Sequence, residues 1–262
     1  MTLTLGDVQE TMLIPLTIRA NESLRPNPRI NDQRAVEITR LLSIDLSKYN
    51  GFMSHEGVVS RTILFDHTVK NYLKKYPDAI CINLGCGLDD RFTRVDNGQI
   101  HWYNVDLPDA IAARKQFFTE TEREHFVSGS ILEAFYTADI PKDKMVIIIA
   151  EGLFMYFTLE QIRHILAIIQ LAFPHFILLA EMNHPIMAKN TKHHDTVKYT
   201  NAVFQSGTKS GKELELLCPD IHLISEISFN EIMRRHSFRG WLFGTLPFLR
   251  SFNDRLAIYH NF

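Results

Sequence analysis

Residues 79–89, Ala-Ile-Cys-Ile-Asn-Leu-Gly-Cys-Gly-Leu-Asp, join an apolar run to a glycine-rich turn. A second apolar run over residues 100–105 is followed by Asp106. Glycine lets the backbone approach a ligand because no Cβ lies in the way, and a carboxylate at the end of the next strand can accept hydrogen bonds from both hydroxyls of a ribose. Together the two features predict a nucleoside-binding crevice.

One position in the turn discriminates between nucleoside cofactors. A dinucleotide fingerprint has the pattern Gly-x-Gly-x-x-Gly, whose third glycine allows close packing of the helix on the strand. Here Asp90 stands at the third position. The departure argues against NAD or FAD and favours S-adenosylmethionine, because that cofactor has no pyrophosphate for the turn to hold.

The bulk properties indicate a soluble globular protein. The chain has 262 residues, 45% of them hydrophobic and 22% charged, with a net charge of −2. This balance gives no electrostatic case for nucleic acid or an anionic membrane surface as a partner. The start of the chain lacks a basic, apolar leader, and no stretch approaches the ~20 apolar residues that a membrane span requires. We therefore expect a cytoplasmic protein of one domain.

The cysteines and histidines predict no metal site. Cys81, Cys86 and Cys218 are odd in number and form no Cys-x-x-Cys pair, so we expect small core residues in a reducing compartment. His193, His194 and Asp195 resemble a ligand set, but adjacent histidines on a helix point about 100° apart. A solvated turn or loop is the favoured interpretation of that segment.

Strands and helices alternate after a helical N-terminal part. Helices are predicted at 7–24, 32–48 and 55–75, strands at 79–84, 100–105, 124–127, 145–150 and 176–180, and further helices at 89–95, from Pro108 and at 158–171. This alternation predicts an α/β fold with a doubly wound, mostly parallel sheet.

The C-terminal part carries a weaker pattern. Residues 188–211 are expected to form an inserted helix and loop, and 221–228 and 255–260 late strands, the last antiparallel at the sheet edge. Within one domain we expect an N-terminal helical lid over 1–76, a cofactor-binding core over 77–182, and the insertion with the late strands over 183–262.

Five segments carry a family resemblance. They are Glu10-Thr11-Met12-Leu13-Ile14-Pro15-Leu16 with Arg19-Ala20, Ser60-Arg61-Thr62 with Phe65-Asp66, Asn83-Leu84-Gly85-Cys86-Gly87-Leu88-Asp89 with Arg91, Val105-Asp106-Leu107-Pro108, and Ala150-Glu151-Gly152-Leu153-Phe154-Met155-Tyr156. In this order and spacing the chain resembles the leucine carboxyl methyltransferase family, in the bacterial branch named for the tetracenomycin polyketide synthesis O-methyltransferase. Asp90 departs from the family pattern, which usually has threonine there.

The resemblance implies a class I (Rossmann-like) methyltransferase fold and methyl transfer from S-adenosylmethionine to an oxygen, leaving S-adenosylhomocysteine. The acceptor would be a carboxylate, or a phenolic hydroxyl, of a small molecule such as a polyketide-type acid. The resemblance also implies that Arg61 pairs with the cofactor's methionine carboxylate, that the glycine turn passes beneath the cofactor, and that Asp106 binds the ribose. The full implied set of cofactor-binding residues is Arg61, Gly85, Cys86, Gly87, Asp106, Leu107, Ser130, Ile131 and Glu151.

The chemistry asks little of catalytic side chains. The sulfonium methyl is already activated and a carboxylate is already ionised, so alignment and exclusion of water suffice. A phenol would gain from a base, for which Glu151 or a histidine is a candidate. Tyr156 is a candidate for orienting the acceptor or is simply a core residue. Arg19, on a helix that could fold over the pocket, either attracts an acidic acceptor or is solvated.

Two rival functions keep the same fold. An NAD-dependent oxidoreductase would use the crevice for a dinucleotide, against which Asp90 argues. A non-catalytic protein could retain the adenosyl-cofactor site for binding alone. The sequence makes no prediction of the oligomeric state.

Overall fold

The computed structural model describes residues 6, 9–49, 51–186, 202–236, 238–245 and 253–262. The strands are β1 (Ile80–Leu84), β2 (His101–Asp106), β3 (Glu124–Ser128), β4 (Val146–Ala150), β5 (Phe176–Met182), β6 (His222–Ser228) and β7 (Arg255–His260). The helices are α1 (Leu13–Ser23), α2 (Gln33–Leu41), α3 (Phe52–Lys75), α4 (Arg91–Val95), α5 (Pro108–Arg114), α6 (Leu159–Ala172), α7 (Lys212–Leu217), α8 (Asn230–His236) and α9 (Phe238–Thr245). Short 3-10 turns occupy Gln9–Met12, Ala134–Thr137 and Phe154–Tyr156.

The seven strands form one sheet in the order β3-β2-β1-β4-β5-β7-β6. Strands β1 to β5 pair in parallel, and β7 is antiparallel to both β5 and β6. The predicted doubly wound sheet is confirmed, but the prediction that the last strand lies at the edge is wrong. The apolar residues of β7 are buried between its two neighbours, whereas every residue of β6 is exposed or partly exposed, so β6 forms the edge.

Helices cover both faces of the sheet. On one face the core contains Ile162, Ile165 and Leu166 of α6, which follows a capping box between Thr158 and Gln161, as predicted. On the other face α3 contributes Leu64, Phe65, Val69 and Leu73. Strands β1 and β4, buried at every residue, lie between these layers, as expected for parallel strands covered on both faces.

The two N-terminal helices pack over the carboxyl ends of the strands. Apolar residues of α1 and α2, including Leu16 and Val36, pack with Cys86 and Leu88 of the glycine turn. The second helix ends at Leu41 and not near residue 48 as predicted, because Ser43 takes a left-handed conformation (φ 53°) that an α-helix cannot continue. Because its residue Leu16 packs with Cys86 and Leu88 of the glycine turn, α1 covers the crevice predicted from the sequence.

The predicted insertion is described only in part. Residues 187–201, including the two adjacent histidines and Asp195, lie outside the described residues. Residues 202–207 contain neither helix nor strand, and Ala202 and Phe204 are buried against α1 and α3. The helix predicted there is not seen over 202–207.

The cysteines are buried and unpaired. Cys81 lies in β1, Cys86 in the turn after it and Cys218 after α7, as expected for small core residues. Burial raises the pKa of the Cys81 and Cys86 thiols. Within the described ranges, no helix is long and apolar enough to cross a membrane, and His, Cys, Asp and Glu form no group suited to a metal ion.

Candidate cofactor-binding site

A cavity of about 660 Å³ opens at the carboxyl ends of the parallel strands. It lies where the strand order reverses between β1 and β4, the place at which open α/β sheets bind ligands. All ten site residues predicted from the sequence line it: Arg61, Gly85, Cys86, Gly87, Asp106, Leu107, Ser130, Ile131, Glu151 and Tyr156. We call the part formed by residues 85–87, 106–107 and 130–131 the glycine end. The part formed by Arg61, Arg91, Glu151 and Glu181 is the arginine end.

The glycine end depends on backbone conformation. Gly85 (φ 64°) and Gly87 (φ 47°) take left-handed conformations that favour glycine. A Cβ on Gly85 would lie 2.7 Å from Cδ1 of Leu153, and one on Gly87 would lie 3.0 Å from Cβ of Met12, in the 3-10 turn before α1. The turn is thus packed closely on both sides, and side chains at these positions would strain it.

Asp106 ties the turn after β1 to the end of β2. Its Oδ2 accepts a hydrogen bond from the Gly87 N–H (2.8 Å) and its Oδ1 accepts one from the Leu107 N–H (2.8 Å). Asp106 therefore does not cap α5, whose N-cap is Leu107 without a side-chain cap. Burial raises the pKa of Asp106, and the two N–H donors oppose that shift. Each oxygen still has a lone pair to offer a ligand.

Arg114, at the end of α5, supports the turn from below and was missed by sequence reasoning. This fully buried guanidinium donates to the carbonyl oxygens of Gly87 (3.2 Å) and Asp89 (2.8 Å) and to Oε1 of Glu124 (2.9 Å). Its position near the C-terminus of a helix gives no signal of this role, because the three acceptors come from two distant segments.

The far wall of the glycine end combines apolar and polar groups. Leu107 is 37% exposed although it is apolar, and Ile131 is buried. The Ser130 hydroxyl accepts a hydrogen bond from the Leu132 N–H (3.2 Å). Asp90 does not line the cavity; it accepts a hydrogen bond from the Thr93 hydroxyl (2.8 Å), and burial raises its pKa to about 6.

The arginine end is assembled from side chains that are distant in sequence. Arg61 on α3 places Nε 2.8 Å from Oε1 of Glu151 and Nη1 3.0 Å from Oε2 of Glu181. Arg91 on α4, which is 1% exposed, pairs with Asp66 (2.7 Å), Asp89 (2.9 Å) and Glu151. The carboxylate predicted at the end of β4 is therefore held between two guanidinium groups.

Two acidic residues at this end were not predicted. Glu181, near the end of β5, is 2% exposed and faces the cavity beside Arg61. Asp254, just before β7, also lines the cavity. Burial, together with the nearby Glu181 carboxylate, raises the pKa of Asp254 to about 8. Their sequence context, an acid in a late strand and one in a loop, carries no motif.

The residues expected to meet an acceptor have partners. Arg19 is neither solvated nor free to attract an acid, because its buried guanidinium pairs with Asp32 (2.7 Å) and donates to the Leu88 carbonyl oxygen (3.1 Å). Tyr156 lines the cavity and packs edge-on against Phe204 at a ring distance of 5.5 Å. Burial raises the pKa of its phenol, and a hydrogen bond with Thr11 opposes that shift.

This lining fits S-adenosylmethionine. The cavity has glycine backbone and a carboxylate at one end and a guanidinium at the other, matching a nucleoside and an amino acid joined through sulfur. The described lining also contains both carboxyl and guanidinium groups. The acidic members are Asp89, Asp106, Glu151, Glu181 and Asp254, and the basic members are Arg19, Arg61 and Arg91.

Comparisons with known proteins agree with this chemistry. A model of the leucine carboxyl methyltransferase family matches residues 14–170. The tetracenomycin polyketide synthesis O-methyltransferase TcmP of Streptomyces glaucescens is 26% identical over 222 residues, covering 84% of this chain and 82% of that protein. The S-adenosyl-L-methionine-dependent methyltransferase dpfgK of Gibberella zeae is 28% identical over 183 residues, covering 62% and 60%.

A solved structure from Thermobifida fusca, provisionally described as a methyltransferase, is similar in fold. Its TM-score is 0.61 at 12% identity, with 93% of this chain and 94% of that chain covered. The family match extends over more than half of the chain and includes β1, β2 and β4. The oxidoreductase and binding-only alternatives are accordingly not retained. The chain belongs to the leucine carboxyl methyltransferase family and is an S-adenosylmethionine-dependent methyltransferase with a class I fold.

Proposed function

We propose that this enzyme transfers the methyl group to an oxygen atom of a small-molecule acceptor, with a carboxylate as the acceptor group. The observation that carries the proposal is the second wall of the cavity. This wall, formed by lining residues outside the polar turn, is apolar and aromatic, and it comes from α1, α3 and the segments after β4 and before α7. Its members include Ile14, Pro15, Met53, Val58, Met155, Phe157 and Phe204.

The proposal places the cofactor along the cavity floor. Asp106 would accept hydrogen bonds from the ribose, and Leu107, Ser130 and Ile131 would surround the adenine. The described contacts of Arg61 engage Nε and Nη1, so Nη2 would donate to the methionine carboxylate. Glu151, between Arg61 and Arg91, would lie beside the methionine part of the cofactor at the arginine end. Cys86, a buried neutral thiol, would contribute packing and the backbone of the turn.

Transfer then depends on geometry rather than on a covalent intermediate. The reactive methyl group is supplied by the cofactor, and an ionised carboxylate is nucleophilic without a base. The chain has to align the acceptor oxygen with the methyl carbon and sulfur and to exclude water. A cover formed by residues 1–76 over the core of residues 77–182 would align the acceptor and exclude water. Tyr156 would orient the acceptor, and residues 183–262 would add to the wall of the acceptor pocket.

The name of one relative supports a polyketide-type molecule as the acceptor. TcmP is a polyketide synthesis O-methyltransferase, and it matches 84% of this chain. An apolar and aromatic wall would stack against a planar polyketide-type acid. A phenolic hydroxyl is the second candidate acceptor, since Glu151 lines the same cavity and could accept a proton.

A methyl-transfer assay tests the proposal. The purified enzyme would be incubated with S-adenosylmethionine labelled at the methyl group and with matched pairs of aromatic acids and their phenol analogues. The expected result is a base-labile methyl ester from the acids. Base-stable methyl ethers would move the assignment to the phenol, and transfer to neither class in the presence of tight cofactor binding would contradict the acceptor proposal.

A further inference from the structure

Glu181 joins two elements of the arginine end. Its Oε2 accepts a hydrogen bond from the Gly152 N–H at 2.6 Å, and both oxygens accept from Nη1 of Arg61, at 3.0 and 3.2 Å. The side chain is 2% exposed, so these contacts are shielded from water. The carboxylate thus contacts the helix before the sheet and the turn after β4 at the same time.

The turn and the guanidinium are also packed against each other. Gly152 has a φ of 64°, a conformation that favours glycine. A Cβ on Gly152 would lie 3.4 Å from Nη1 of Arg61 and 3.8 Å from its Cζ. The Arg61 guanidinium is therefore held by Glu181 at Nη1 and by Glu151 at Nε, with the turn at Gly152 beside it.

We propose that Glu181 is a positioning residue for Arg61, setting the direction in which this arginine presents its remaining donors to the cofactor's methionine carboxylate. The inference rests on the proposed function in one respect, namely that Arg61 binds that carboxylate. A free arginine side chain samples many rotamers, and holding it in the bound geometry before the ligand arrives strengthens binding. Because the same carboxylate also accepts a hydrogen bond from the turn that carries Glu151, it keeps Arg61 and Glu151 in a fixed position relative to each other.

The proposal predicts a selective loss of affinity. Glu181 lies at the arginine end, away from the turn that would hold the adenosine. A ligand with the methionine carboxylate, S-adenosylhomocysteine, should depend on Glu181. 5′-Methylthioadenosine, which has the nucleoside and the sulfur but no amino acid, should not. A merely structural role in the sheet would weaken both ligands together.

The test is calorimetric titration of Glu181→Gln with both ligands. The amide can still accept from the Gly152 N–H, but it lacks the charge that pairs with Arg61. We expect S-adenosylhomocysteine to bind about tenfold more weakly, the change typical of one lost charge-assisted contact, and 5′-methylthioadenosine to bind as it does to the parent. Equal losses for the two ligands, or no loss for either, would overturn the proposal.

The chain offers a matched control in Glu226. Its Oε2 accepts from the Gly211 N–H (3.0 Å) and its Oε1 pairs with Arg255 (2.9 Å), the same chemistry outside the cavity. Glu226→Gln should leave both affinities unchanged. If Glu181→Gln does not fold, Glu181→Asp, which keeps the charge but withdraws it by one methylene, should show the same selective loss.

A double-variant titration connects the effect to Arg61. In an Arg61→Lys background, Glu181→Gln should cause little further loss of S-adenosylhomocysteine affinity, because the residue it positions is already changed. Full additivity would overturn the proposal. Failure of the proposed cofactor site itself would look different, since the parent enzyme would then bind neither ligand.

Discussion

The glycine end and the arginine end of the cavity are built on different principles. The glycine end is formed by local backbone conformation, with two left-handed glycines and N–H donors that reach one carboxylate, Asp106. The arginine end is formed by buried side chains from four elements, α3, α4, β4 and β5, joined by ion pairs. The first can be recognised in a short motif, whereas the second exists only once the chain has folded. The two ends should therefore respond differently to substitution.

Removing Arg61 should have the largest effect on stability. Arg61→Ala removes the ion-pair partner of the buried Glu181 carboxylate and leaves Glu151 with Arg91 alone, and breaking such a buried pair typically costs about 3–5 kcal/mol. Chemical denaturation at pH 7 measures this, with Arg123→Ala as the control. Arg123 pairs with Asp96 at a more exposed site, so its loss should cost much less. Similar costs for the two variants would mean that burial does not increase the cost of breaking the ion pairs of Arg61.

Removing Asp106 should act on binding at the glycine end. Asp106→Ala deletes a charged acceptor of two ribose hydrogen bonds, and we expect both S-adenosylhomocysteine and 5′-methylthioadenosine to bind roughly 10²–10⁴-fold more weakly, at about 1.5–3 kcal/mol for each hydrogen bond to a charged group. Calorimetric titration checks this, with Asp109→Ala as a control outside the cavity. Retained binding of 5′-methylthioadenosine would show that the nucleoside does not lie at this end.

Adding a methyl group to the turn should destabilise the protein where the same change in α3 does not. Gly85→Ala forces a left-handed alanine and a 2.7 Å approach to Leu153, so a loss of about 1–3 kcal/mol is expected. Gly57→Ala, inside α3 with open space around its Cβ, should gain about 0.5–1 kcal/mol. Thermal unfolding of both variants tests the contrast, and shifts in the same direction would refute it.

The last expected effect concerns pH. An aspartate in the unfolded chain has a pKa of about 3.9, whereas burial beside Glu181 raises the pKa of Asp254 to about 8 in the folded protein. The folded state therefore holds a proton that the unfolded state releases, and this group lowers stability progressively as pH rises from about 4 to about 8. Asp254→Asn should raise Tm at pH 8 and leave it unchanged near pH 4. A Tm difference that is constant with pH would contradict this.

The site was predicted best where its residues lie close together in the sequence. The strand alternation and the spacing of Gly85, Gly87 and Asp106 placed the cavity at the correct edge of the sheet, and every proposed site residue lines it. The roles of Glu181 and Arg114 had no signal, because their partners lie in distant segments and a lone acid or arginine matches many surface patterns.

Errors arose where packing overrides local pattern. Arg19 looked solvated or ligand-facing, since nothing in its helix reveals the buried Asp32 on the next one. The apolar run 255–260 was predicted at the sheet edge. It lies inside the sheet because the more polar strand 222–228 pairs with its outer side and forms the edge instead. Strand order among late antiparallel elements is set by these long-range choices.

The contact between Arg19 and the Leu88 carbonyl has a consequence for engineering. It joins the N-terminal cover to the glycine turn through a buried guanidinium that Asp32 also holds. A chimera that takes its first forty residues from one relative and its turn from another would have to match this trio, whatever the similarity of its strands. Exchange of acceptor specificity between relatives should therefore succeed more often when the cover and the turn are transplanted as one block.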